Sequence, residues 1–287
     1  NDGQFLWVGT IHGGLNRLNK ETGNFSRFLN NPKEPGANKT IAIEEIFIDR
    51  SNILWVCSRP GAILKYDRKT KGFMLYRHDP AIKGTISSNT ILPIYEDKQD
   101  TIWIGTGNAG LNQYLRSSDT FVTFKFDPED PLSLPAPGVF AMAEDNNGTF
   151  WVSASDTSKG TLCIFDRKTG KFVKYYRHDP KNPDSISNNR FLLDIYPDRF
   201  NPDILWLAPA FGGLEKFDTK KEEFTHYPGI PDDPDKLSGG YVNIFQDDTG
   251  MLWLGGNYGL DLFEPSSEKV TRYRNIPDES NSLIENN

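Results

Sequence analysis

The chain has 287 residues, of which 37% are hydrophobic and 13% aromatic, and its formal net charge is −7 at pH 7. With a pI near 5.2 and no stripe of lysine or arginine, its composition argues against nucleic-acid binding. No apolar run approaches the roughly 20 residues of a membrane-spanning helix. The sequence therefore predicts a chain without a nucleic-acid partner or a membrane segment.

Tryptophan marks an internal repeat. The six tryptophans are Trp7, Trp55, Trp103, Trp151, Trp206 and Trp253. Their successive intervals are 48, 48, 48, 55 and 47 residues, and aliphatic or aromatic residues flank each one. A period of roughly 40–50 residues is typical of a four-stranded propeller blade.

The repeat divides the chain into six units, which we interpret as one domain over 1–287. The units are 1–38, 39–86, 87–135, 136–187, 188–238 and 239–287. In the third unit, runs of β-forming residues separated by turn residues predict four strands. These predicted strands, which we name A to D from the propeller axis outward, are Asn89–Glu96, Thr101–Thr106, Leu111–Tyr114 and Phe121–Phe126.

The predicted fold class is all-β, a β-propeller of about six four-stranded antiparallel blades. The chain begins at strand B of its first unit and ends with residues 281–287, which resemble the segments that precede strand A elsewhere. Because a ring usually closes by pairing strands from both ends, we expect a fragment of a larger propeller array. The sequence leaves the native blade number open.

Cysteine and histidine give no sign of a metal or cofactor site. Cys57 and Cys163 lie two units apart, which predicts two free buried thiols rather than a disulfide. His78 and His178 occupy the same place in a repeated Tyr-Arg-His-Asp-Pro segment, which favours a role in the scaffold, and His226 is interpreted in the same way. We therefore predict no cofactor and no metal.

The turns between strands B and C are where the copies disagree, at the fourth and fifth residues after each tryptophan. In a propeller these turns surround one mouth of the central channel, so their side chains can face a ligand. Either the turn residues bind a ligand, with aromatic faces stacking on sugar rings, or they vary because no structural requirement constrains them. The predicted ligand-binding residues are His12, Arg59, Asn108, Asp156, Phe211 and Tyr258.

Polar residues also interrupt the apolar strand A. They are Glu44, Glu45, Asp194 and Asn243. A buried carboxylate is costly unless it is paired, so these residues either face a wet channel or contribute to a ligand site. No two of them can be assigned acid and base roles from sequence, so a glycosidase mechanism has no positive support.

The repeated residues resemble the two-component regulator propeller repeat over essentially the whole chain. The segments that carry the resemblance are Gly13–Asn16, Tyr76–Pro80 with Ser87, Asp145–Trp151, Phe165–Asp166, and Tyr176–Pro180 with Ser185–Asn188. The resemblance implies the periplasmic sensor region of a hybrid two-component histidine kinase, without a catalytic motif of its own. The absence of a signal peptide at the start of the chain is what an excised ectodomain would show.

The same resemblance implies a carbohydrate-derived ligand, an oligosaccharide or other small glycan fragment, and a homodimeric full-length receptor. Two alternatives remain open at this point. One is a scaffold propeller that binds a protein partner through an exposed apolar patch. The other is a polysaccharide lyase or hydrolase built on a propeller.

Overall fold

The structure is a computed structural model that describes residues 3–10, 13–28, 42–59, 61–67, 72–156, 159–187, 191–283 and 285–286, with residue 59 described by its backbone alone. The chain divides into two compact units, Asn1–Thr123 and Phe124–Asn287. Throughout the described ranges, the regular structure consists of β-strands. The assignment of 1–287 to a single domain stays a prediction.

The first compact unit carries three sheets. Their strands are β1 (Phe5–Thr10), β2 (Gly14–Asn19), β3 (Phe25–Arg27); β4 (Ala42–Ile48), β5 (Leu54–Arg59), β6 (Ala62–Asp67), β7 (Gly72–Tyr76); and β8 (Ile91–Glu96), β9 (Ile102–Thr106), β10 (Gly110–Leu115), β11 (Thr120–Phe124), whose last residue begins the second unit.

The second compact unit also carries three sheets. Their strands are β12 (Gly138–Glu144), β13 (Phe150–Ser155), β14 (Gly160–Asp166), β15 (Lys171–Tyr176); β16 (Leu192–Pro197), β17 (Ile204–Pro209), β18 (Leu214–Asp218), β19 (Glu223–Tyr227); and β20 (Tyr241–Gln246), β21 (Leu252–Gly256), β22 (Gly259–Glu264), β23 (Lys269–Tyr273).

The six sheets are propeller blades in chain order. The first has three described strands and begins with the strand that carries Trp7, which is strand B as predicted, and the other five have four strands each. Neighbouring strands are consecutive in the chain, and their ladders are antiparallel. The predicted fold class, all-β with four-stranded antiparallel propeller blades, is confirmed.

The tryptophans on strand B fill the wedges between neighbouring blades, as their size predicts. In the first compact unit, Trp55 of the second blade packs edge-on against Tyr114 of the third blade, with ring centroids 5.0 Å apart. In the second compact unit, Trp151 of the fourth blade packs against Phe217 of the fifth blade, with ring centroids 5.7 Å apart. The conserved spacing along the chain thus corresponds to one large aromatic side chain for each wedge.

Each of these tryptophans in the second to sixth blades donates its indole N–H to an aspartate six to eight residues earlier, in the turn between strands A and B. The pairs, with the distance from Nε1 to Oδ2, are Asp49–Trp55 (3.0 Å), Asp97–Trp103 (2.8 Å), Asp145–Trp151 (2.8 Å), Asp198–Trp206 (2.7 Å) and Asp247–Trp253 (3.0 Å). The other carboxylate oxygen accepts backbone N–H groups of the turn. These aspartates therefore stabilise the turn and the core together.

The A–B turns also connect neighbouring blades within each compact unit. The residue after the aspartate reaches into the following blade and donates to a backbone carbonyl there. Contacts of this kind, which we call clasps, include Arg50 to Asp97 O, Asn146 to Asp198 O (3.0 Å) and Arg199 to Gln246 O (2.9 Å). Two different side-chain chemistries thus make the same contact.

The cysteines and two of the histidines behave as predicted. Cys57 and Cys163 are free and buried, and burial raises the pKa of both thiols. His78 Nδ1 lies 2.8 Å from Ile86 O, and His178 Nδ1 lies 2.9 Å from Ile186 O. Because Ile86 and Ile186 are buried, both histidines fasten the D–A loop of their blade to the core.

His226 differs from the other two, contrary to the prediction. It lies inside β19 rather than in the loop that follows strand D. Its Nδ1 is 3.5 Å from the buried carboxylate of Glu215, and its Nε2 is 3.1 Å from Pro183 O. Tyr227 matches Tyr76 at the end of strand D, so His226 lies three positions before the place that corresponds to His78.

Candidate functional site: the B–C turns

The B–C turns and the D–A loops meet at one end of each blade. In the third blade, Gly107 N donates to Thr90 O at 2.9 Å, and Thr90 comes just before strand A. In the fifth blade, Ala210 N donates to Phe191 O at the same distance. In these two blades the B–C turn is therefore tied to the loop that enters its own blade, and both line the same end, as predicted.

The six predicted ligand-binding residues fall into two groups. His12 lies outside the described residues, and Arg59 ends β5 with its side chain outside them. The other four, all exposed, are Asn108, Asp156, Phe211 and Tyr258.

Asp156 holds its own turn. Its carboxylate accepts the backbone N–H of Lys159 at 2.8 Å, and its backbone N–H donates to Lys159 O. One carboxylate oxygen is therefore engaged within the loop. Asn108 lies at the tip of the β9–β10 turn, where no such local bond fixes its amide among the contacts of the described residues.

Phe211 and Tyr258 belong to turns of adjacent blades that a glycine segment joins. Gly240 N donates to Gly212 O at 2.9 Å, which connects the entrance of the sixth blade to the turn of Phe211. A Cβ on Gly240 would lie 3.5 Å from the ring of Tyr258, so this ring lies over the glycine backbone. The side chains of Phe211 and Tyr258 are 68% and 46% exposed.

Glycine is required where these loops touch. A Cβ on Gly239 would collide with Gly212 O, and Gly239 has a φ of +81°, in the left-handed region that favours glycine. A Cβ on Gly256 would collide with Gly240 O. The floor beside the two aromatic rings is therefore bare backbone. The paired glycines at 212–213, 239–240 and 255–256 were the sequence signal that could have predicted it.

Two further aromatic residues extend this surface. Phe191, whose carbonyl holds the turn of Ala210, packs against Phe140 with ring centroids 4.5 Å apart. Both rings are partly exposed. We call the set Phe140, Phe191, Phe211 and Tyr258 the aromatic strip. Phe140 and Phe191 were missed at the sequence level because they lie on strand A and its entrance, not in the B–C turns.

A buried carboxylate anchors the loop that carries Gly239 and Gly240. Asp261 on β22 accepts the N–H and the hydroxyl of Ser238 at 2.8 and 2.7 Å, and it pairs with Arg274 at 2.6 Å. Tyr241 donates its hydroxyl to the same carboxylate. Although burial opposes ionisation, these hydrogen bonds lower the pKa of Asp261. The glycine loop is thus held against a rigid strand.

The predicted strand A acids connect blades. Glu45 Oε2 accepts the N–H of Ile94 at 3.2 Å, and Asp194 Oδ2 accepts that of Ile244 at 2.7 Å, in each case from strand A of the following blade. Both acids follow a β-bulge, whose extra residue in the second blade is the exposed Glu44. Burial raises the pKa of Asp194 to about 6 against the lowering effect of its backbone hydrogen bonds.

Asn243 occupies the corresponding position in the sixth blade, and its side chain is exposed. Within the described ranges, no group of three or more His, Cys, Asp or Glu residues is placed to hold a metal ion. No helix of the described part of the chain is long and apolar enough to cross a membrane.

A family model agrees with the repeat. The model of the two component regulator propeller matches residues 85–108, which run from the D–A loop of the second blade through β8 and β9 to Asn108. No curated protein matches the chain in sequence.

Solved structures share the fold. The extracellular domain assigned to the hybrid two-component system BT3049 of B. thetaiotaomicron has a TM-score of 0.65 and 23% identity over 80% of this chain. PorZ, a surface component of the type-IX secretion system of Porphyromonas gingivalis, has a TM-score of 0.63 and 17% identity over 91%. A catalytically inactive virginiamycin B lyase from Staphylococcus aureus has a TM-score of 0.58 and 14% identity over 84%.

These three proteins differ in function, so the likeness concerns the fold. The chain spans 29% of the B. thetaiotaomicron domain, 37% of PorZ and 72% of the lyase. The predicted resemblance is confirmed: residues 85–108 match the two-component regulator propeller repeat, and the chain is similar in fold to extracellular domains of hybrid two-component systems.

Proposed function

We propose that this chain is a periplasmic ligand-sensing region of a hybrid two-component sensor. In this proposal it binds a carbohydrate-derived ligand and relays binding to a histidine kinase outside the chain, acting within a homodimeric receptor and catalysing no reaction itself. The repeat match and the likeness to extracellular sensor domains support the sensor role.

The aromatic strip is the observation that supports a carbohydrate ligand. Sugar rings present apolar C–H faces that stack on aromatic rings, and their hydroxyls need a few well-placed polar groups. Phe211 and Tyr258 offer exposed rings beside a segment of glycine backbone that carries no side chain. The predicted residues His12, Arg59, Asn108 and Asp156 remain part of the proposal, as polar groups of the corresponding turns.

Calorimetric titration against a panel of oligosaccharides tests the proposal. We expect at least one glycan class to bind, and Phe211→Ala or Tyr258→Ala to weaken binding by about tenfold each through loss of stacking. Phe200→Ala is the matched control, because Phe200 is 61% exposed but lies in the A–B turn at the other end of its blade. Absence of binding across all glycan classes, or equal losses for all three variants, would contradict the proposal.

A further inference from the structure

A second candidate site lies on the flank of the fourth blade, where the residue opposite the tryptophan is not the cation that three other blades carry. In three other blades, the strand C residue paired with the tryptophan is a cation that lies over the indole. These pairs are Arg17 over Trp7 (5.6 Å), Lys65 over Trp55 (5.9 Å) and Lys216 over Trp206 (5.9 Å). In the fourth blade the residue paired with Trp151 is Ile164, and in the third and sixth blades it is Gln113 and Leu262. A cleft lies beside Ile164 of the fourth blade.

In the second blade, the cation is Lys65, and it reaches the third blade. Lys65 Nζ donates to Tyr114 OH at 2.6 Å, to Asp119 at 2.9 Å and to Tyr76 OH at 3.1 Å. Its side chain thereby spans the space between Trp55 and the C–D turn of the next blade. The cleft that remains between the second and third blades, with Tyr76 and Asp119 among its lining residues, is about 210 Å³, and Trp55 does not line it.

In the fourth blade, a cation comes from strand D instead of strand C. Lys174 on β15 pairs with Glu222, which holds the position that Asp119 holds in the third blade, and its ammonium lies 5.3 Å from the ring of Tyr176. Ile164 has no polar group and cannot contribute to this ion pair. A cleft of about 420 Å³ remains between the fourth and fifth blades, with Trp151 among its lining residues.

The lining of this cleft suits an uncharged ligand with many hydroxyls. Its apolar part is formed by Trp151, Ile164, Tyr176 and Pro202. Its charged groups are two lysines and two acids, paired as Lys174 with Glu222 and Lys220 with Asp203.

Because these charges balance, a charged ligand would leave one partner uncompensated. Neutral hydroxyls, in contrast, can donate to the carboxylates and accept from the ammonium groups while both pairs stay intact. Asn147 and Thr149 add uncharged polar groups at the rim.

We propose that this cleft, the flank cleft, is a second binding site, for one or two rings of a neutral sugar. Its volume lies at the small end of the range for ligand pockets, which is roughly 300–1,000 Å³. It is lined by strands B, C and D and the A–B turn of the fourth blade and by the A–B and C–D turns of the fifth, so it does not share residues with the aromatic strip. The inference therefore stands whether or not the aromatic strip binds a glycan.

The test uses the indole N–H signal of Trp151 in ¹⁵N–¹H spectra of the whole chain. Glucose, galactose, xylose and their disaccharides are added at millimolar concentrations. We expect at least one to shift this signal in a saturable way, and glucuronate and glucosamine to leave it unchanged. Phe211→Ala should leave the shift intact, which separates this site from the aromatic strip.

Two substitutions should close the flank cleft, and one should leave it open. Ile164→Lys places the cation that the repeat uses elsewhere, and Ile164→Phe fills the space by bulk alone. Each should abolish the shift, whereas Ile164→Val should retain it. The five other indole signals report whether each variant is folded. No shift with any neutral sugar, a shift with charged sugars only, or a shift that survives both filling substitutions would overturn the proposal.

Discussion

In the fourth blade, Asp145 holds Trp151 through one carboxylate oxygen, which accepts the indole N–H at 2.8 Å, and holds its own turn through the other, which accepts the backbone N–H groups of Asn147 and Thr149 at 2.9 Å each. Trp151 is 2% exposed and Asp145 is equally buried. The buried indole N–H cannot exchange this partner for water. The wedge and the turn therefore depend on a single side chain.

Asp145→Ala is expected to lower the free energy of unfolding by about 3 kcal/mol, because a buried indole N–H and two turn amides lose their acceptor. Chemical denaturation followed by tryptophan fluorescence measures the change. Asp248→Ala is the control: Asp248 lies in the corresponding turn of the sixth blade but is 92% exposed, so its ion pair with Arg199 should contribute little. Equal effects for the two variants would refute the argument.

Gly239→Ala should destabilise the second compact unit by about 3 kcal/mol or more, since the added Cβ collides with the backbone of Gly212 in addition to the strained φ. Gly148→Ala has nearly the same φ, +83°, but its Cβ would meet nothing nearer than Glu144 Oε1 at 3.7 Å. Its cost should be about 1 kcal/mol. Thermal denaturation measures the stability of both variants and so separates the effect of the collision from that of the strained φ. Similar losses of stability would argue against the close approach of the two loops.

Asp194 should make stability fall as the pH rises from about 4 to 6. Its folded-state pKa is raised from 3.8 to about 6, so the folded protein binds the proton more tightly than the unfolded chain. The stabilisation is complete below the unfolded pKa and is lost as the pH passes through the folded value. Asp194→Asn should flatten this part of the profile and raise the free energy of unfolding at pH 7 by at most about 3 kcal/mol. Urea denaturation across this range measures it, and an unchanged slope in the variant would contradict the assignment.

His226 should act in the same direction at higher pH. The hydrogen bond with Glu215 raises its pKa above 6.5, against the opposing effect of burial. The resulting stabilisation is complete below pH 6.5 and is lost as the pH rises through the raised folded value. His226→Gln should remove this loss, as measured by denaturation between about pH 6 and 8. NMR titration of the imidazole would give the pKa directly, and a value at or below 6.5 would show that the contact is not formed.

The tryptophan spacing was sufficient to predict the blades, because the wedge that each indole fills recurs once in each unit. The strand ends were less accurate. Strand D of the third blade ends at Phe124 rather than Phe126, because Phe126 leaves the ladder and forms a separate parallel bridge with Leu134. Strand A starts at Ile91 rather than Asn89, whose side chain accepts the N–H of His78. Loop hydrogen bonds between distant residues decided both ends.

The site was predicted only in outline. Variation among the copies indicated Phe211 and Tyr258, but the contact of their turns depends on glycine backbones approaching across two blades, which spacing does not reveal. The flank cleft was missed for a related reason. Ile164 is an ordinary strand residue by sequence, and the space beside it exists because Lys174 takes over a contact that Lys65 makes from another strand.

The clasps between A–B turns bear on how such a chain can grow. Arg50, Asn146 and Arg199 all reach a backbone carbonyl of the following blade, and a carbonyl is present whatever side chain stands there. A blade inserted by gene duplication therefore finds a backbone carbonyl acceptor in the following blade and presents its own backbone carbonyl to the preceding one. Lengthening the array requires no compensating mutation at these junctions, which leaves the turns at the other end of each blade free to diversify.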